Sequence, residues 1–115
     1  MLRNKLLKSL RWYAEKLKDY HIWVADFSHR IDDSTEVYLI LVDDLRGYTS
    51  VKLLLNEVIC PFEEEIYPKF RRLHWKDNNT NLYFYMSVYP AEEYENIRKT
   101  FTNWKPITTI VGPIE

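Results

Sequence analysis

At 115 residues, with 46% hydrophobic and 16% aromatic side chains, the chain has the length of one ordinary domain and ample material for a core. Two glycines and five prolines exclude a low-complexity or disordered chain, and the lone Cys60 excludes an internal disulfide. A net charge of −1 gives no overall attraction to nucleic acid. No apolar stretch reaches the roughly 18 residues needed to span a bilayer, so a soluble protein in a reducing, cytoplasmic setting is expected, with no membrane partner.

The charge is unevenly spread. Residues 1–18 carry six basic side chains against one acid, residues 19–67 three against eleven, and residues 68–115 seven against five. A basic first segment followed by an acidic middle makes a two-signed surface, or solvated faces that attract one another within the domain. Residues 1–14 hold Arg3, Lys5, Lys8 and Arg11 with no acid, as a transit peptide would. Leu6, Leu10, Tyr13 and Leu17 nevertheless fall on one helical stripe that runs on into the next element, so the segment reads as the first helix, over residues 2–18.

Residues 21–28 (HIWVADFS) are β-prone and aromatic, the polar stretch 29–36 contains a turn at Asp32, Asp33 and Ser34, and residues 37–42 (VYLILV) are apolar on both faces. That makes a hairpin whose second strand is central and covered from both sides. After a turn over residues 44–47, Thr49 or Ser50 caps a second helix with apolar Val51, Leu54, Leu55, Val58, Ile59, Phe62 and Ile66. Its periodicity passes through Pro61 in phase. Either one helix kinks there, or two short helices meet, with Pro61 opening the second and Glu63, Glu64 and Glu65 near its positive end.

Pro68 closes that segment. Residues 69–76 (KFRRLHWK) read as a basic, edge-like strand, Asp77, Asn78, Asn79 and Thr80 as a turn, and residues 81–89 (NLYFYMSVY) as the returning strand. Alternation in this last strand puts Leu82, Phe84, Met86 and Val88 on one side and Tyr83, Tyr85, Ser87 and Tyr89 on the other. Pro90 opens a third helix, acidic first and basic last, with Tyr94, Ile97, Phe101 and Trp104 as its buried stripe. Residues 107–111, between Lys105-Pro106 and Gly112-Pro113, are expected to form a short final strand at the sheet edge. The order α-β-β-α-β-β-α(-β) predicts a single α+β domain with a mostly antiparallel sheet of four or five strands and helices packed on it.

The chain is poor in catalytic signatures. His29, Asp32 and Asp33 make an ordinary solvated turn, with His21 and His74 elsewhere, so no metal and no cofactor is expected. Cys60 lies beside an apolar stripe just before Pro61, as an inert buried thiol does, and Gly47 and Gly112 belong to no phosphate-binding loop. Among the carboxylates, Asp43 and Asp44 stand out because they end the most apolar strand, where sheet proteins often carry functional side chains.

In element order, the segments WVADFS (23–28), EVYLILV (36–42) and MSVYPAEEY (86–94) resemble the minimal nucleotidyltransferase domains. Those domains place Gly-Ser after one strand and Asp-x-Asp on the next. This chain has no Gly-Ser pair, and Glu36 and Tyr38 stand where two aspartates would hold magnesium. The resemblance implies a degenerate, catalytically inactive relative.

Two binding readings remain. Tyrosines beside Lys69, Arg71, Arg72 and Lys76 would supply stacking platforms and phosphate contacts to RNA. The four Trp, nine Tyr and five Phe exceed what a small two-layer fold encloses, and the composition resembles that of interface hot spots. The favoured expectation is therefore a non-enzymatic protein-interaction module: an adaptor, inhibitor or immunity-like protein using an aromatic sheet face, with a protein partner or a second copy of itself. Its candidate binding residues are Tyr83, Tyr85, Tyr89, Arg71, Trp75, Asp43 and Asp44.

Overall fold

The stripe of Leu6, Leu10, Tyr13 and Ala14 winds into helix α1 (Leu2–Lys16), and all four side chains are buried. Leu17 extends the buried stripe past the helix end, its N–H bonded to the Tyr13 carbonyl at 2.9 Å. The structure, a computed structural model, describes residues 2–24, 28–29, 35–42, 45–78, 80–100 and 104–112. Along the chain follow β1 (His21–Val24), β2 (Ser28–His29), β3 (Thr35–Val42), α2 (Leu45–Glu57), β4 (Phe62–Ile66), β5 (Arg71–Lys76) and β6 (Tyr83–Tyr89). A 3₁₀ turn (Ala91–Glu93) leads into α3 (Tyr94–Thr100), and β7 (Lys105–Pro106) and α4 (Ile107–Val111) close the described chain.

The strands form one sheet in the order β4-β5-β6-β3-β1-β7, with β2 paired to the start of β3. Among the described residues only β3 and β6 run parallel, and every other pairing is antiparallel. The expected α+β architecture and mostly antiparallel sheet are both present, but the described sheet has seven strands rather than four or five. The hairpins β1/β3 and β5/β6 form as the alternation and turn residues require. The acidic turn at residues 32–34 lies outside the described residues.

One face of the sheet is sealed. Val37, Leu39 and Leu41 of β3, Phe84, Met86 and Val88 of β6, and Leu73 and Trp75 of β5 pack with α1, α2 and α4 into a single core. On the other face a smaller cluster joins Trp23, Ile40 and Val42 to Ile97 of α3, flanked by Tyr89, Tyr94 and Trp104. This second layer is why β3 is apolar on both sides. Tyr38 is the exception in that strand, 36% exposed.

Several expectations are corrected, beginning with the second helix, which starts at Leu45 so that residues 45–47 are helical and neither Thr49 nor Ser50 is its cap. The helical phase through Pro61 is not used: α2 ends at Glu57, and residues 62–66 form the edge strand β4. Ile59 adopts φ +55°, while the N–H groups of Ile59 and Cys60 bond the carbonyls of Asn56 and Leu55 at 3.1 and 2.8 Å, a left-handed helix stop with proline just beyond. Consecutive glutamates are weak strand formers on their own. Here the β5 partners offset that, setting Glu63 against His74 and Glu65 against Arg72, while Lys52 reaches Glu64 at 3.2 Å.

As a consequence β5 is an interior strand, not the edge the basic residues implied. Residues 107–111 form the short helix α4 rather than a strand, because Ile107 and Val111, one turn apart, both reach the main core. Only Lys105 and Pro106 pair at the sheet edge, beside β1.

Candidate aromatic interface

The register sets side chains of four strands side by side on the face away from α1 and α2. One row runs Glu63 (β4), His74 (β5), Tyr85 (β6), Tyr38 (β3). Its rings are stacked: His74 on Tyr85 at 5.5 Å and 11°, and Tyr85 on Tyr38 at 5.4 Å and 21°. A row below, Glu65, Arg72 and Ser87 lie abreast, and a row above, Lys76, Tyr83 and Glu36.

A second stack begins in the β4–β5 turn. Tyr67 lies on Phe70 at 4.7 Å, and Phe70 on Tyr89 at 4.8 Å, with interplanar angles near those of the first stack. Arg72 packs on this stack, its guanidinium 5.6 Å from the Tyr67 ring and 5.7 Å from Phe70, while Nε donates to Ser87 Oγ at 3.4 Å. Offset ring pairs of this kind hold one another flat at modest cost in mobility.

Much of the polar rim is paired. His74 Nε2 lies 3.3 Å from Glu63 and 3.4 Å from Glu65, Tyr67 donates its hydroxyl hydrogen to Glu65, Tyr38 donates to Glu36, and Lys76 sits 5.7 Å over Tyr83. The hydrogen bond to Glu65 raises the Tyr67 phenol above its ordinary value, and partial burial does the same for Tyr89 despite the nearby Arg72. Both of these phenols are neutral at physiological pH, presenting a hydroxyl and a ring rather than a charge.

Placement divides the sequence-derived candidates. Tyr83, Tyr85 and Tyr89 lie together on this face, each half-buried. Trp75 does not join them: it is 3% exposed in the main core, stacked on Phe84 at 5.6 Å, its indole N–H donating to Tyr13. Strand alternation likewise sends Arg71 to the opposite face, where it sits 4.9 Å over the Tyr48 ring. Asp43 and Asp44 fall outside the described residues.

Sequence reading missed Tyr38, Tyr67, Phe70 and His74. Tyr38 had a visible signal, the single polar side chain within the apolar run 37–42. Tyr67 depends on the β4–β5 turn, which the helical phase concealed, whereas His74 and Phe70 lie in the segment 69–76 that reads as a strand, with His74 directly across from Tyr85.

Glu36 and Tyr38, the positions corresponding to metal-holding aspartates in the nucleotidyltransferase order, bond to each other, and Tyr38 also stacks on Tyr85. No group of three or more His, Cys, Asp or Glu side chains is arranged to hold a metal ion among the described residues. None of the described helices is long and apolar enough to cross a membrane. Comparison with protein-family models, curated proteins and solved structures finds no match to this chain.

Proposed function

We propose that the chain is a non-enzymatic protein-interaction module, of the adaptor, inhibitor or immunity-protein kind, that docks its partner on the open half of the aromatic sheet face. The carrying observation is the His74–Tyr85–Tyr38 stack on the half of the sheet that α3 leaves uncovered. Flat rings held on a rigid sheet lose little conformational entropy on binding, and their hydroxyls offer hydrogen bonds at the contact.

A protein partner fits this surface better than RNA. Glu36, Glu63 and Glu65 interleave with Arg72, His74 and Lys76, so a phosphate backbone would meet as many acids as bases. The cations are also engaged already: Arg72 over Tyr67 and Phe70, Lys76 over Tyr83. A mixed-charge rim around an aromatic centre is the ordinary anatomy of a protein interface.

The test compares wild type with Tyr38→Ser/Tyr85→Ser in capture from the source cell and in sedimentation. The proposal expects a partner, or self-association, that the double variant loses while its cooperative melting is retained. Binding to single-stranded RNA, lost in the same variant and steeply weakened by salt, would replace this reading with the nucleic-acid one.

A further inference from the structure

A second site lies on the opposite side of the molecule, independent of the aromatic face. A cleft of about 450 Å³ opens between α1, the end of α2 and the β5–β6 turn. Such a volume is within the range of small-molecule sites, about 300–1,000 Å³. From α1 it takes Lys5, Lys8, Ser9, Trp12 and Tyr13, the i, i+3, i+4, i+7, i+8 positions of one helical stripe. Both cations stand at one end of that stripe and both aromatic rings at the other.

The two ends differ in what they offer. Trp12, 36% exposed, is braced edge-on against Tyr13 at 5.0 Å, and Val58, 39% exposed, faces the cleft from beyond α2. Between them is an apolar wall with no cover among the described residues. Lys5 and Lys8 are exposed, and neither forms an ion pair among the described residues.

The floor is closed to ligands. Tyr13 donates to Asp77 at 3.0 Å and accepts from Trp75 at 2.9 Å, and Asp77 also accepts from the Thr80 backbone and hydroxyl at 3.0 and 2.7 Å. No buried side-chain nitrogen or oxygen is left unpaired among the described residues. The Asp77 carboxylate repels an anion from the deep end, which fixes any anionic group at the mouth beside the lysines.

We infer that this cleft binds a small amphipathic organic anion, with a flat apolar body against Trp12 and Val58 and a carboxylate held by Lys5 and Lys8. The basic character of the first segment thereby gains a purpose besides solvation. A cationic ligand is disfavoured, because Lys5 and Lys8 guard the mouth and Lys16 already lies 5.9 Å from the Trp12 ring.

Three probes with one ring and charges of −1, 0 and +1 test this: indole-3-acetate, indole-3-acetamide and tryptamine, titrated by calorimetry and by amide chemical shifts of the full chain. Each exposed lysine contributes roughly a two- to fivefold change in affinity, so the acetate should bind about tenfold tighter than the amide, with tryptamine weakest. Lys5→Ala/Lys8→Ala should bring the acetate down to the amide's affinity, and Trp12→Leu should weaken all three. Lys99→Ala, exposed on α3 and in neither site, should leave all three affinities unchanged. Equal affinities for the three probes, a preference that survives the double lysine variant, or no saturable shift at millimolar indole-3-acetate would overturn the assignment.

Discussion

Phe84 and Tyr85 are neighbours in sequence on opposite faces of one strand, and replacing each with alanine should produce very different losses. Phe84 is 0% exposed and lies 5.1 Å from Tyr13 and 5.6 Å from Trp75. Removing it leaves a cavity walled by helix and sheet, and a buried Phe→Ala change costs about 3–5 kcal/mol. Tyr85→Ala gives up two cross-strand stacks, on His74 and Tyr38. Each is worth about 0.2–1 kcal/mol, and water fills the space, so with its share of burial the loss is about 1–2 kcal/mol. At roughly 4 °C per kcal/mol for a domain of this length, Phe84→Ala should melt about 12–20 °C below wild type and Tyr85→Ala about 4–8 °C below. Calorimetry at neutral pH, with urea unfolding as a check, measures both. If Tyr85→Ala loses as much as Phe84→Ala, the tyrosine face is not open, and the proposed interface falls with it.

Other consequences are equally direct. Tyr13→Phe strands the indole N–H of Trp75 and takes one donor from Asp77, a loss of about 2–4 kcal/mol by chemical denaturation, and a loss below about 0.5 kcal/mol would show that the chain of bonds is not formed in solution. Ile59, β-branched, 84% exposed and at φ +55°, loses almost no packing when removed. Ile59→Gly relieves about 1–2 kcal/mol of left-handed strain against about 0.5–1 kcal/mol of added chain entropy, so a net gain of about 0.5–1 kcal/mol is expected, and a lower melting temperature would contradict it. Burial, with the hydrogen bond to Glu64, pushes the Tyr48 phenol up to about 12, and burial raises Tyr13 as well. The unfolded chain releases these protons near pH 10 while the fold retains them, so stability is full below pH 10 and should fall as pH rises toward 12. A flat melting temperature from pH 9 to 11.5 would refute that assignment.

Much of this was legible in the chain. Alternation in residues 82–89 separates the greasy face of β6 from its phenolic one without reference to any neighbour, and the Leu6, Leu10, Tyr13 stripe marks α1 in the same way. Residues 58–66 were not legible, since Val58, Ile59, Phe62 and Ile66 satisfy a helical period as well as an edge strand does. The choice between them rests on the left-handed turn at Ile59 and on the basic face of β5, neither of which a local pattern encodes. Residues 107–111 failed for a related reason: a five-residue β-branched segment favours a strand locally, and only the space beside α1 makes a single helical turn the better burial.

The sequence by itself determined the class of fold, the two-faced character of β6 and the aromatic richness of the chain, because period and composition are local quantities. Tertiary structure decided which aromatics face outward. Trp75 points to the face that α1 and α2 seal and is buried, whereas Tyr38 points to the opposite face, away from the α3 cluster, and completes the open stack, so the layers packed on each face of the sheet, and not any property of the ring, set which aromatics stay in water.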